Sequence, residues 1–415
     1  MDHDIAAVTA SFGPGQARSG RSEDSIDGIT PGHVITARTF EDVLTVVQAA
    51  RENRLAIVTT GGGSQLGAGA IPEAFDLRLQ TTGMADIIEQ RSEDLTVTAG
   101  AGVNLARLNR SLEQTGQRVA LDPAHPERAT LGGLVATGAS GGLAYGFGAC
   151  RDMVLGLRVV DGSGRYFACG GKVVKNVSGY DLPRLFCGSL GTLAVITEVT
   201  LRTHPLAHTR ATVVCEFPSD KELGEARRAV FASSLPLAAL DFTVTPQQTP
   251  WTLLACVEGT RSEVDYQIEG ITSLCRRQVF VSTEPWHSPV HPMDEETLAV
   301  EVALKPAQAL AFAAKVLDHL SHHSPGGLRV SGHLGSGLLC ISTTDTQAAA
   351  DLVDGLRRLA TGFATGAVVL RATAEVKEGL QVWDQRPQGF ELMKRIKERF
   401  DPDRVLSPGR FVGGL

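Results

Sequence analysis

The chemistry of this chain is announced by its glycines. Thr59-Thr60-Gly61-Gly62-Gly63-Ser64-Gln65-Leu66-Gly67-Ala68-Gly69 follows the apolar run Leu55-Ala56-Ile57-Val58, so a strand ends in a stretch with little side-chain bulk. Successive N–H groups in such a turn converge on an anion, and glycine's access to positive φ brings the backbone close to a phosphate. A plain turn has the same composition, so one cluster decides little. A second stretch, Ala129-Thr130-Leu131-Gly132-Gly133-Leu134-Val135-Ala136-Thr137-Gly138-Ala139-Ser140-Gly141-Gly142, and a third, Cys187-Gly188-Ser189-Leu190-Gly191-Thr192-Leu193, read as further glycine-rich loops. Three of them argue for an extended, diphosphate-bearing ligand.

Other reactive side chains are sparse. Lys172 and Lys175 lie in the run Gly170 to Phe186, where either one stabilises negative charge or simply organises the loop; Tyr180 and Asp181 read as loop-fixing hydrogen bonders. Arg371 ends the apolar run Val368-Val369-Leu370 and suits an acid substrate or a solvated strand end. His319, His322 and His323 have helical spacing, but Ser324-Pro325-Gly326-Gly327 stops a helix there, which favours a solvated last turn over a metal site. His287 and His291 bracket Pro289 and share no helix face.

Alternating strands and helices are required to position these loops. Phe40, Val43, Leu44, Val47 and Ala50 recur at helical spacing behind the N-cap Thr39. Asp94–Ala99 alternates as a strand, and Leu105, Leu108 and Leu112 form one face of a helix that ends at Gly116. Met153–Val160 reads as a strand turning at Asp161-Gly162-Ser163-Gly164 into Arg165–Ala168, and Val195–Arg202 as another strand. After Pro205 the glycine loops stop. Strands at 211–217 and 252–258 flank a helix at 219–232; strands at 298–304, 328–331 and 338–342 alternate with helices at 306–320 and 346–359, as a sheet covered by helices on one face. Residues 1–28 read as a mobile arm, 29–206 as the ligand-binding domain, 207–385 as a second domain, and 386–415 as a helix (390–400) and turn-rich tail packing back on the first domain.

The chain has 415 residues, 43% of them hydrophobic, and a formal charge of −7. With a pI near 5.9 and no basic block, it offers no footprint for nucleic acid or an anionic membrane. No apolar run reaches the ~20 residues of a membrane span, and the acidic start Met1-Asp2-His3-Asp4 is unlike a signal peptide. The expectation is a cytoplasmic protein whose membrane association comes through partners. The seven cysteines never approach Cys-x-x-Cys spacing, so neither a disulfide framework nor an iron–sulfur cluster is drawn from them.

The block Gly170-Gly171-Lys172-Val173-Val174-Lys175-Asn176-Val177-Ser178-Gly179-Tyr180-Asp181-Leu182-Pro183-Arg184-Leu185-Phe186, running into Gly188-Ser189-Leu190-Gly191-Thr192-Leu193, resembles the vanillyl-alcohol-oxidase/p-cresol-methylhydroxylase family of FAD-binding flavoproteins. Within that family the chain is similar to the FAD-binding subunits of bacterial glycolate oxidases. A dinucleotide-binding Rossmann motif, by contrast, is absent. The resemblance implies an α+β fold: a two-part FAD-binding domain of the p-cresol-methylhydroxylase type plus a sheet-and-helix substrate (cap) domain. It carries the FAD diphosphate to Gly61, Gly62, Gly63, Ser64 and Gln65. Diphosphate and flavin go to Pro123, Thr130, Gly132, Gly133, Thr137, Gly138 and Gly141, and the adenine end goes to Gly191, Thr192 and Ile196. Ser64 stands where some members carry a histidine bonded to FAD, which implies non-covalent cofactor.

Oxidising a 2-hydroxy acid requires an anchor for the carboxylate, a base at the hydroxyl, and the α-hydrogen against flavin N5. Related dehydrogenases carry a metal-binding Gly-His-x-Gly-Asp-Gly-Asn-x-His run. Its counterpart here, Gly332-His333-Leu334-Gly335-Ser336-Gly337-Leu338-Leu339-Cys340, keeps His333 alone, which implies no metal. His333 is either the base or a structural hydrogen bonder, and Lys175 is the second catalytic candidate. The implied function is oxidation of a small 2-hydroxy acid such as glycolate, in a complex with a paralogous FAD subunit and an iron–sulfur subunit. A free-standing hydroxy-acid or alcohol dehydrogenase, and a non-catalytic flavin subunit serving assembly or electron relay, are the alternatives.

Overall fold

The computed structural model describes residues 8–172, 179–246, 248–290, 298–320 and 327–415. The first part holds two sheets. In one, β1 (Ala17–Ser19), β2 (His33–Thr36), β4 (Leu77–Gln80) and β3 (Ile57–Thr60) lie in that order; β2 and β3 both run parallel to β4. The helix Phe40–Asn53 connects β2 to β3, and Thr39 caps it by accepting from the Asp42 N–H while the Asp42 carboxylate reaches back. Its Val43, Val46, Val47 and Ala50 are buried against Ile35, Ile57, Leu77 and Leu79.

The other sheet is antiparallel, in the order β5 (Ile87–Arg91), β6 (Thr96–Gly100), β10 (Ala194–Arg202), β8 (Val154–Asp161), β9 (Tyr166–Gly170). Its core takes Leu105, Leu108 and Leu112 from the helix Leu105–Glu113, capped by Asn104, and Leu131, Leu134 and Val135 from the helix Leu131–Thr137. A short ribbon pairs β7 (Gln117–Arg118) with β11 (His204–Pro205).

Residues 207 onward build one antiparallel sheet: β15 (Val279–Ser282), β12 (Thr209–Phe217), β14 (Gln248–Gly259), β13 (Ala239–Thr245), β17 (Arg329–His333), β18 (Leu338–Thr343), β16 (Leu298–Ala303), β19 (Ala367–Arg371). Alternate residues of its strands, such as Val213, Phe242, Leu253, Val300, Ile341 and Val369, join a core with four helices: Asp220–Ala232, Arg261–Cys275, Ala309–Leu320 and Ala349–Thr361. The strand period of two sends Asp241, Glu301, His333 and Cys340 to the opposite face. That polar face turns toward the glycine-rich loops.

Two readings of the sequence need correction. The described part of the 1–28 segment is not a loose arm: β1 pairs with β2, and the Asp24 carboxylate is held by Arg18 at 2.5 Å and Arg78 at 3.4 Å. Burying Ile26 beside Val58 and Phe75 adds an apolar tie. The second glycine stretch is not wholly a loop either. Leu131–Thr137 is helical behind the N-cap Thr130, and Gly132 lets that helix sit against the sheet, because a Cβ there would lie 2.8 Å from the Ala101 Cβ.

The chain's end returns to the first part. Leu406 bridges Ile57 beyond the edge of β3, with Ile57 N–H donating to the Val405 carbonyl at 2.7 Å and Ser407 N–H to the Ile57 carbonyl at 2.7 Å. Buried Lys397, from the helix Phe390–Phe400, donates to the Thr192 carbonyl, the Asp401 carboxylate and the Leu406 carbonyl at 2.6–2.9 Å.

Candidate functional site

The first glycine stretch leaves β3 as an anion cradle. Its carbonyls are taken by arginines: Arg128 donates to Gly63 O at 3.2 Å, Arg371 to Ser64 O at 3.3 Å, and Arg410 to Leu66 O at 2.8 Å and to Ala68 O. The N–H groups of Gly61 to Gln65 donate to no described protein group. Backbone donors left over beside a cavity are what a phosphate requires. Glycine is needed here for two reasons: a Cβ on Gly61 would lie 2.0 Å from Thr130 Oγ1 and one on Gly62 1.9 Å from the Arg128 carbonyl, and Gly63 has φ +76°.

Two cavities adjoin along this cradle, sharing Ser64, Gln65, Ala68, Thr137 and Leu190. The narrower one, about 90 Å³, takes Gly61, Gly62, Gly63, Ser64, Gln65, Thr130, Gly132, Gly133, Thr137, Gly191 and Ile196 in its wall. The wider, about 590 Å³, takes Pro123, Gly138 and Gly141 together with the polar face of the large sheet. Thr192 does not join them. Its hydroxyl donates to Ser189 O at 2.7 Å, and with Lys397 and Met393 it lines a third hollow of about 160 Å³ that shares Cys187, Gly188 and Phe411 with the wider cavity.

Over the wider cavity, strand register makes a dyad. Asp241 on β13 lies opposite His333 on β17, with His333 Nδ1 at 2.7 Å from Asp241 Oδ1, and Ser288 Oγ donates to Asp241 Oδ2 at 2.8 Å. Burial alone works to lower the His333 pKa, but Asp241, Asp122 and Glu301 outweigh it and raise it. Burial raises Glu301, against the pull of His333. Asp122 is pushed up to about 7, chiefly by loss of water and despite the hydrogen bonds from Trp286 Nε1 at 2.7 Å and the Leu143 N–H at 3.1 Å. His333, Glu301 and Arg371 all line this cavity.

Lys175 lies outside the described residues. Lys172 pairs with Glu89 on the first part's surface and touches neither cavity. Tyr180 is exposed, and Asp181 caps the helix Leu182–Phe186 by accepting from the Arg184 N–H. His287 and His319 are exposed, while His291, His322 and His323 lie outside the described residues. Cys340, at the position of the motif's second histidine, is buried with its thiol pushed up to about 12, and among the described residues no three His, Cys, Asp or Glu converge on a metal position.

Sequence reasoning missed Asp241, Glu301, Asp122, Trp286 and Arg410, and also His125, which lines the wider cavity. For two of them a signal existed: a lone carboxylate interrupts an apolar alternation in Ala239-Leu240-Asp241-Phe242 and in Ala299-Val300-Glu301-Val302.

Comparison with known proteins identifies the cofactor. Residues 31–170 match the FAD binding domain family and residues 381–411 the C-terminal domain of FAD linked oxidases. The chain carries an FAD-binding domain of the p-cresol-methylhydroxylase type. It is 26% identical to the glycolate oxidase subunit GlcD of Bacillus subtilis, over 92% of this chain and 88% of that one. It is 36% identical to the glycolate oxidase subunit GlcE of Escherichia coli, over 39% of this chain and 46% of that one. A solved structure of alkyldihydroxyacetonephosphate synthase superposes with a TM-score of 0.75 at 15% identity, covering 98% of this chain and 84% of the other, and shares the fold. The α+β architecture of an FAD-binding domain and a second sheet-and-helix domain is thereby established, and FAD is the cofactor. This FAD-linked oxidoreductase contains, among its described residues, no helix long and apolar enough to cross a membrane.

Proposed function

We propose that the chain oxidises a small 2-hydroxy acid, glycolate or a close homologue, as the FAD-binding subunit of a glycolate oxidase-type complex. The observation that carries this reading is the wider cavity, with Ser64 and Gln65 of the cradle on one wall and His333, Glu301 and Arg371 on the other, His333 being held from behind by Asp241. In this division of labour residues 29–206 and the tail 386–415 hold the cofactor, and 207–385 supply the substrate wall.

FAD, when bound, supplies the hydride acceptor. Everything else is assigned to side chains of this chain. With Nδ1–H held by Asp241, His333 presents Nε2 as the ring nitrogen that takes the hydroxyl proton, and the Asp241 carboxylate stabilises the resulting imidazolium. Arg371 lines the same cavity and is placed to pair with the substrate carboxylate, because a planar guanidinium fork matches the two carboxylate oxygens. Ser288 fixes the rotamer of Asp241. Ser64, lacking an imidazole, leaves FAD dissociable.

Support for a complex comes from the similarity to two glycolate oxidase subunits and from the cysteines, which are scattered free thiols that offer no cluster. Electrons then leave through a partner with an iron–sulfur centre, a paralogous FAD subunit completes the assembly, and any membrane attachment of this cytoplasmic chain is the partners'. The test is dye-linked turnover of glycolate, D-lactate and L-lactate by the tagged chain, purified alone and with whatever co-purifies. Turnover of a 2-hydroxy acid in either preparation supports the reading; inactivity of both toward all three, with FAD bound, overturns it.

A further inference from the structure

Arg410 has more donors than its surroundings use. The residue is 5% exposed, lines the narrower cavity, and sends Nη2 to the Leu66 and Ala68 carbonyls of the cradle. Nη1 makes no hydrogen bond to any described residue; the nearest anion is Asp27 Oδ2 at 3.7 Å, itself without a hydrogen bond. Asp27 is instead engaged by Lys377, whose Nζ donates to Oδ1 at 2.8 Å. One carboxylate thus stands between two buried cations, and the cluster keeps one positive charge in excess. Burial works to lower both Lys377 and Arg410, as an under-compensated pair of cations requires.

A buried positive charge is costly unless an anion approaches it. The neighbouring wall, Gly61 to Gln65, also lacks acceptors for its N–H groups. The two deficits have one common remedy, a doubly negative group seated between them.

We propose that Arg410, carried by the returning tail, is a diphosphate anchor of the FAD site, and that the Lys377–Asp27–Arg410 cluster ties the second domain, the N-terminal segment and the tail to cofactor occupancy. The guanidinium position is fixed by the fold: the Arg410 carbonyl accepts from Trp383 Nε1 at 3.0 Å and from the Ala70 N–H at 3.0 Å. Lys377 lies on the short helix Ala374–Glu378 that follows β19. The inference rests on FAD binding and not on the identity of the substrate.

The experiment is a binding titration of the cofactor-free full chain with FAD, with ADP, which carries the diphosphate without the flavin, and with adenosine, which carries neither. Arg410→Gln is expected to weaken FAD and ADP by roughly 10- to 100-fold, the scale of a charged hydrogen bond, and to leave adenosine within about twofold. Arg410→Lys recovers part of the loss. Unchanged ADP affinity in a folded Arg410→Gln chain overturns the proposal, as does an equal loss for adenosine. Should the variant fail to fold, the crystal structure of the wild-type chain with ADP tests the same contact directly. Arg410 Nη1 within hydrogen-bonding reach of a phosphate oxygen supports the proposal, and a guanidinium more than about 5 Å from every phosphate oxygen overturns it.

Discussion

Replacing Gly62 with alanine tests the cradle with a single carbon atom. The φ of Gly62 lies outside the left-handed region, so alanine brings no backbone strain; the whole effect is steric. The new Cβ would stand 1.9 Å from the Arg128 carbonyl oxygen, where real Cβ contacts essentially never fall below 3.0 Å, so cradle and 125–130 segment must part by about 1 Å. A hydrogen bond lengthened that much is lost. Losing two charged hydrogen bonds to the diphosphate costs about 3–6 kcal/mol, which is roughly 10²- to 10⁴-fold in FAD affinity. Quenching of flavin fluorescence during titration of the cofactor-free chain measures it. Gly116→Ala is the control: its φ of +67° makes alanine cost about 1 kcal/mol of stability, but it meets nothing within 4 Å and lies on neither cavity, so FAD affinity holds. An FAD affinity within about threefold of wild type in a folded Gly62→Ala chain would refute the assignment of the cradle.

Four further outcomes are expected. His333→Ala lowers kcat/KM toward a 2-hydroxy acid by about 10²- to 10⁴-fold while FAD affinity is unchanged. Because Asp241 raises the His333 pKa against burial, Asp241→Asn shifts the acid limb of the pH–rate profile to lower pH and reduces the plateau; a limb that stays in place removes His333 as the base. Asp122, pushed to about 7 when folded and near 3.8 when unfolded, keeps its proton only in the folded state between those values. Its contribution to stability is therefore full below about pH 4 and is lost, by about 4 kcal/mol, as pH rises to about 7. Urea unfolding at pH 4.5 and 7.5 should show that difference shrink in Asp122→Asn, and an identical pH response in both proteins contradicts the placement of Asp122. Lys397→Met strips the donor from two carbonyls and Asp401, and lowers the urea-derived stability by about 3–5 kcal/mol; a loss under about 1 kcal/mol shows that the tail is held otherwise.

Local order is readable from the sequence because its causes are local. The helix Phe40–Asn53 follows from its apolar period and from Thr39 as cap, and the hairpin of β8 and β9 from its turn residues. Of the residues assigned to the cofactor by family resemblance, all but Thr192 stand on the two cavities, because glycine-lined turns announce close approach. Thr192 lines the third hollow instead, its hydroxyl closing a turn on Ser189, a use of threonine indistinguishable by sequence from ligand binding. The substrate wall is far less legible. Asp241 and His333 are 92 residues apart and meet only through the register of β13 on β17, and sequence reading passes over β13 between the strands at 211–217 and 252–258. Nothing local distinguishes β12 pairing with β14 from β12 pairing with β13. Arg410 is hidden for the same reason: its role comes from a tail that crosses back over the chain's beginning.

The most direct test of the account is the visible spectrum of the FAD-loaded chain, with its co-purifying partners, before and after anaerobic addition of glycolate and of D-lactate. The account expects the oxidised flavin band to bleach with at least one of these acids, and bleaching to slow sharply in His333→Ala. A flavin that stays bound and oxidised in the presence of both acids contradicts the claim that this cavity oxidises a small 2-hydroxy acid.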